Sequence, residues 1–253
     1  MPNSSVLISR ETVSPSRDKQ FRERGYFLLE KCFSREEMDE LKTYIEPFVE
    51  AKEKDLEAKG LKNQGISRAN QISFTEHLAE KSPEIMNFVK HEVFQDLCLK
   101  LIGPEVSLYW DQAVYKRPEN PKDFPWHQDN GYTPIEPENY LTCWIALEDA
   151  TIENGCIWVM PETHKQGTVE HRDTPIGKQC YFGNDKGVPV PLRQGGMAVF
   201  SSLTFHKSGP NLTRDKIRKG YIVQFCHAQA VHQITRQPLN RTVVFRQRKT
   251  EAG

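Results

Sequence analysis

The chain has 253 residues, room for one large domain or two small ones with a buried core. Its 34 basic and 34 acidic residues cancel, which removes the simplest electrostatic case for a nucleic-acid or anionic-membrane partner. No apolar run approaches the ~20 residues of a membrane span, "MPNSSVLISRETVSPSRDKQ" lacks a hydrophobic signal core, and six cysteines stand singly without a C-x-x-C; a cytoplasmic placement with reduced thiols is expected.

Residues 1–17, rich in Ser, Pro and Arg, read as a flexible arm ahead of one domain over 18–253. "GYFLLEKCF" opens on a short apolar strand. In "SREEMDELKTYIEPFVEAKEKDLEAKG", Ser34 and Glu37 make a capping box. Met38, Leu41, Ile45 and Phe48 recur at helical spacing, and Gly60 is the expected stop. The polar stretch 61–77 has no clear period and is either connection or a loop over a site. "SPEIMNFVKHEVFQDLCLKLIG" predicts a second helix, with Ser82 as cap, Pro83 at its first position and Gly103 beyond its end.

From residue 105 the texture changes. "VSLYWDQAVYK", "YLTCWIAL", "CIWVMP", "MAVFSS" and "GYIVQFCHA" are β-branched and aromatic runs divided by Gly, Pro, Asn and Asp. Helices followed by many strands indicate an α+β or mainly β chain, a barrel with helical buttresses. The basic tail "RQPLNRTVVFRQRKTEAG" reads as a solvated terminal strand.

"FPWHQDNGY" holds His127 and Asp129 two apart. Alone, that pair is no more than a polar turn. On a strand or at its end, however, residues i and i+2 share a side, so both can aim at one metal while Gln128 points away. Two histidines and one carboxylate on one face of an octahedron leave three positions open, an arrangement suited to Fe(II) with a co-substrate and O₂. Of the five histidines beyond Asp129, His164, His171, His227 and His232 lie in polar loops or beyond the last strong strand. His206 sits after an apolar strand and before the turn "SGPN". Ser208 is two residues on, and Arg218, twelve residues on, enters the next strand, where its planar fork can grip a carboxylate. Arg214, eight residues beyond His206, competes for that role.

From "RGYFLLEKCFS" to "HAQ" the sequence resembles the phytanoyl-CoA dioxygenase-like branch of the Fe(II)/2-oxoglutarate oxygenases. "WHQDNGY", "LTCWIALEDATIENGCIWVMPETHKQG" and "MAVFSSLTFHKSGPN…RKGYIVQF" carry the likeness. It implies a double-stranded β-helix, a jelly-roll or cupin-like barrel with N-terminal helices packed outside. It implies His127, Asp129 and His206 as iron ligands and catalytic centre, with Arg218, Ser208, Trp144 and Gln112 around 2-oxoglutarate. Asn154-Gly155 is expected to make a hairpin turn, and Asn211 to shape the loop after His206. The retained Asp129 implies hydroxylation rather than halogenation. The expected activity is hydroxylation of an aliphatic C–H of a small metabolite, with release of succinate and CO₂ and consumption of O₂. Arg68, Asn70, Gln71 and Tyr132 are the candidate substrate contacts, with loop 130–140 at the entrance; the absence of a Lys/Arg cluster for a coenzyme A phosphate leans towards a small polar substrate. Two other classes remain open: a non-catalytic 2-oxoglutarate- and metal-binding protein on the same barrel, and a cupin-like metal hydrolase or isomerase.

Overall fold

The computed structural model describes residues 12–59, 63–64, 67–68 and 71–247. In chain order the elements are α1 (Pro15–Arg24), β1 (Tyr26–Leu29), α2 (Arg35–Ala58), β2 (Asn63–Gln64), β3 (Ser67–Arg68), β4 (Ile72–Glu76), α3 (Leu78–Lys81), α4 (Pro83–Val89), α5 (Glu92–Leu101) and β5 (Glu105–Lys116). There follow β6 (Phe124–His127), β7 (Ile135–Glu136), β8 (Leu141–Ala146), β9 (Ile157–Met160), β10 (Arg172–Thr174) and β11 (Gly177–Gln179). The last are β12 (Val188–Val190), β13 (Met197–Ser201), β14 (Phe205–Ser208), β15 (Arg218–His227), β16 (Val231–His232) and β17 (Val243–Arg246).

The helices follow their caps. Ser34 and Glu37 complete the capping box of α2, whose buried face carries Met38, Leu41, Ile45 and Val49. Gly60 lies outside the described residues; the helix is closed by Lys59. Two expectations are corrected. The flexible arm does not extend through residues 12–17, because Val13 is buried, Ser14 accepts from the Arg17 N–H and Pro15 starts α1. The single helix expected from Ser82 is two, α4 and α5, because the His91 ring accepts the Val93 N–H and caps a fresh start.

The strands make a mixed α/β architecture in which every described pairing is antiparallel. A nine-stranded sheet runs β1-β13-β8-β15-β5-β4-β3-β2, with β17 also on β5, and a four-stranded sheet runs β12-β9-β14-β6. Alternation sorts the large sheet's two faces. Leu141, Cys143 and Ile145 of β8 and Tyr221, Val223 and Phe225 of β15 join the core under the helices. Their neighbours Thr142, Trp144, Ile222 and Gln224 face the other way, into a cavity shared with His127, Ile157 and His206 of the small sheet. The helices thus cover one face of the large sheet, and the other face is left for the site. Part of the polar stretch 61–77 proves to be β4, whose Ile72 and Phe74 also reach the cavity. No described helix is long and apolar enough to cross a membrane.

Candidate metal centre and its cavity

His127 ends β6, and Asp129 opens the short 3₁₀ turn that follows. His206 follows the apolar strand β13, as expected, and itself lies within the short strand β14, where it is the direct cross-strand partner of His127. Antiparallel pairing therefore sets the two imidazoles side by side, ring centroids 4.1 Å apart. One ligand atom from each of His127, Asp129 and His206 falls within 4.8 Å of the others, the geometry of a three-donor metal site.

The donors are held from behind. The His127 Nδ1–H donates to the Pro125 carbonyl at 2.8 Å and the His206 Nδ1–H to the Thr204 carbonyl at 3.0 Å. A carbonyl only accepts, so Nδ1 carries the donated hydrogen in each ring and Nε2 is the atom left to coordinate. Thr142 donates its hydroxyl to Asp129 Oδ2 at 2.6 Å and fixes the carboxylate. Burial and the neighbouring His206 push the His127 pKa down to about 3, so this ring is neutral. Burial pushes the Asp129 carboxyl up, but His206 first, then His127 and Thr142, more than offset it and hold it below its usual range. Burial likewise pushes His206 down, and the Asp129 charge outweighs it, leaving His206 raised. One neutral imidazole, one carboxylate and one imidazole that yields its proton to a cation are a chemically suitable donor set for a divalent transition metal.

Gln128 does point away from the cavity, and it locks the motif in place. It is wholly buried, donates from Nε2 to the Gly167 and Leu203 carbonyls, and accepts the Val169 N–H. Its own backbone N–H is accepted by His171 Nε2 at 2.9 Å, so His171 is a brace behind the centre rather than a loose loop side chain. His164 stays remote, its Nε2 on the Arg22 carbonyl. Gln128→Ala leaves the Leu203 carbonyl unpaired in a buried setting, at about 1–3 kcal/mol, and frees the part-buried Gly167 carbonyl and Val169 N–H at a smaller cost. The expected result is a folded but clearly destabilised protein with about tenfold to a hundredfold weaker divalent-metal binding, read by thermal melts and metal titration; wild-type values in both would remove Gln128 as a support.

The cavity has a volume of about 280 Å³ and lies between the two sheets. Gln112, Tyr132, Trp144, Ser208 and Arg218 all line it. Arg218 is 1 % exposed, its guanidinium lies 5.4 Å from the Trp144 ring centroid, and its Nη1 donates to the Val114 carbonyl. Its Nε is buried without a partner, and no described carboxylate pairs with it. Arg214 is exposed in the preceding turn. Gly220 lets Trp144 close down beside Arg218: a Cβ there would sit 2.5 Å from the Trp144 ring. Gln112 accepts from the Trp110 indole. Tyr132 packs edge-on to His127 and its hydroxyl accepts the Lys178 N–H.

The other substrate candidates are not brought together. Arg68 and Gln71 border two small depressions beside the cavity, because Arg68 lies on β3 and Gln71 in the turn before β4, while Ile72 and Phe74 of β4 take the inward positions. Asn70 lies outside the described residues. Asn154-Gly155 is not a hairpin turn, because it connects β8 of one sheet to β9 of the other; Asn154 instead ties the turn through Thr151 and the Asp149 carbonyl. Asn211 does shape the loop after His206, donating to the Lys116 and Lys216 carbonyls. The walls, with Phe74, Tyr109, Trp110, Phe124 and Tyr140, are more apolar than the leaning towards a polar substrate implies. Sequence reasoning missed Thr142, Gln128 and His171. Only Thr142 had a local signal, its place two residues from Trp144 on one strand face.

The sequence profile of the family described as phytanoyl-CoA dioxygenase matches residues 21–220. The phytanoyl-CoA dioxygenase domain-containing protein 1 of Mus musculus is 25% identical over 266 residues, covering 85% of this chain and 91% of its own. The methylphosphonate hydroxylase of Gimesia maris is 28% identical over 212 residues, covering 83% and 80%. Among solved structures, a non-heme alpha-ketoglutarate-dependent carbocyclase from nogalamycin biosynthesis superposes with TM-score 0.70 at 24% identity, over 93% of this chain and 96% of its own. EvdO2 of Micromonospora carbonacea var. aurantiaca, solved with 2-oxoglutarate, gives 0.67 at 21%, over 91% and 97%.

Proposed function

The chain belongs to the phytanoyl-CoA dioxygenase family, and from that premise we propose that it is an Fe(II)/2-oxoglutarate-dependent oxygenase that hydroxylates an aliphatic C–H of a small molecule on a double-stranded β-helix. One observation carries the reading: a His-Asp-His donor set with both histidines buried and a buried arginine with no carboxylate partner among the described residues open onto one cavity. His127, Asp129 and His206 would hold the iron. Bound there, Fe(II) supplies the redox chemistry that couples decarboxylation of 2-oxoglutarate to succinate and CO₂ with oxidation of a substrate by O₂.

The protein's part is placement and shielding. Thr142 and the Pro125 and Thr204 carbonyls orient the donors. Arg218 and Ser208 take the distal carboxylate of 2-oxoglutarate, and Trp144 packs beside it. Gln112 borders the same end. Tyr109, Tyr132, Tyr140, Phe74 and Phe124 give a wall that keeps water from the reacting centre. A cavity of about 280 Å³ must take co-substrate and substrate together, so the substrate's inserted part is small.

The experiment is anaerobic loading with Fe(II), then 2-oxoglutarate and O₂ with a metabolite panel, following succinate and a mass gain of one oxygen. The expected result is O₂-dependent succinate formation matched by oxygen incorporation into one substrate. Iron and 2-oxoglutarate binding without succinate would make the protein a non-catalytic binder. Turnover with zinc or manganese and no O₂ would make it a cupin-like hydrolase or isomerase.

A further inference from the structure

Lys116, the last residue of β5, is 1 % exposed and is the direct cross-strand partner of Arg218, also 1 % exposed. Like charges directly opposite one another oppose sheet pairing, and two buried cations without a counter-charge are costlier still. Among the described residues neither has a carboxylate within ion-pair distance. The site is nonetheless built around the lysine. Its Nζ donates to Ser208 Oγ at 2.9 Å and to the Gly209 carbonyl at 2.5 Å. Gly155, at φ +92°, leaves room where a Cβ would meet the Lys116 stem and the Gly209 carbonyl.

We propose that Lys116 is a positioning residue for the co-substrate: it fixes Ser208 as an acceptor, so that the Ser208 proton points to the ligand's distal carboxylate, and it doubles the positive charge that carboxylate neutralises. This rests on the 2-oxoglutarate reading of the same pocket. The ammonium is not a direct ligand; it acts through Ser208 and through its field beside Arg218.

A consequence is proton uptake on binding. The groups facing Lys116 are Arg218 from β15, Ser208 and Lys207 from β14, the Gly209 carbonyl, Asp123 ahead of β6, and Cys156 ahead of β9; Asp123 is engaged by Lys207. Burial and then Arg218 push the Lys116 pKa down to about 7. An arriving carboxylate raises it again. Above pH 7 the free lysine is mostly neutral, so binding draws a proton from solvent onto Nζ and affinity declines as pH rises. Below pH 6 the lysine is already charged and nothing is taken up.

The test is calorimetric titration of 2-oxoglutarate into the full chain loaded with Mn(II), which holds the site without turnover, in buffers of different ionisation enthalpy. Wild type should take up about 0.5–1 proton at pH 8 and almost none at pH 6. Lys116→Met should lose the uptake and bind about tenfold to a hundredfold more weakly at pH 6. Lys116→Arg, with a fixed charge, should lose the uptake while keeping most of the affinity. Wild-type binding without proton uptake at pH 8, or Lys116→Met within twofold of wild type at pH 6, overturns the proposal. If Lys116→Met does not fold, the wild-type buffer series and Lys116→Arg decide. Failure of wild type to bind 2-oxoglutarate at all overturns the oxygenase reading instead.

Discussion

His127→Ala, Asp129→Ala and His206→Ala should each remove 2-oxoglutarate turnover almost completely while leaving a folded protein. Groups that merely orient a ligand cost about tenfold to a hundredfold in metal affinity when lost, so deletion of a donor itself should exceed about a hundredfold. The three side chains meet at one point and share no other task in the core, since the main hydrophobic cluster lies on the far face of the large sheet. Folding and metal binding can be separated by thermal melts. Wild type should gain about 2.7 kcal/mol of stability at a metal concentration of a hundred times Kd, and each variant should gain little. Asp129→Gly should likewise lose hydroxylation, with halogenation a trace at best, because the rest of the pocket is not shaped for a halide. Robust hydroxylation by Asp129→Gly, or normal metal binding by any alanine variant, would take that residue out of the donor set. His164→Ala should stay near wild type, because its ring is engaged with the Arg22 carbonyl, away from the centre.

Arg218→Ala should weaken 2-oxoglutarate binding by a hundredfold or more. A buried carboxylate needs a fixed cation beside it, and breaking such a pair costs about 3–5 kcal/mol, or at least two decades in Kd. Burial pulls the Arg218 pKa down to about 10, which still leaves it charged at neutral pH. Arg218→Lys should recover only part of the loss, because an ammonium cannot reproduce the planar fork stacked on Trp144. Arg214→Ala should leave affinity within about threefold, as an exposed turn charge is screened by solvent. The measurement is the 2-oxoglutarate Kd of anaerobic Fe(II) protein. A large loss for Arg214→Ala and a small one for Arg218→Ala would reverse the assignment.

Much of this site is legible in the sequence because its signals are local. The apolar alternation of "YLTCWIAL" and "GYIVQFCHA" announces strands with two faces. The i, i+2 spacing of His127 and Asp129 announces a shared direction, and the strand-opening position of Arg218 distinguishes it from Arg214 in the turn before. The capping box at Ser34 marks the start of α2. Where local signals compete, they mislead. His91 inside a continuous apolar pattern ends one helix and caps another, and the Asn-Gly turn joins two sheets rather than two hairpin strands. Polar residues near a presumed entrance, Arg68 and Gln71, look as suitable as Tyr132 until the fold gives the cavity-facing positions to Ile72 and Phe74 of β4 instead.

Sequence alone therefore marked a helical N-terminal part followed by a strand-rich part, the alternation of faces along the strands it recognised, and the side chains whose chemistry suits a metal or a carboxylate. Tertiary structure decided who meets whom. His206 is opposite His127, and Lys116 opposite Arg218, only through the registers of β14 on β6 and β15 on β5. Thr142 reaches Asp129, and His171 reaches Gln128, across loops far apart in the chain. The physical reason is that a strand's period of two specifies its faces but not its partner: register is set by the summed burial of both faces across the sheet, a property no single segment carries.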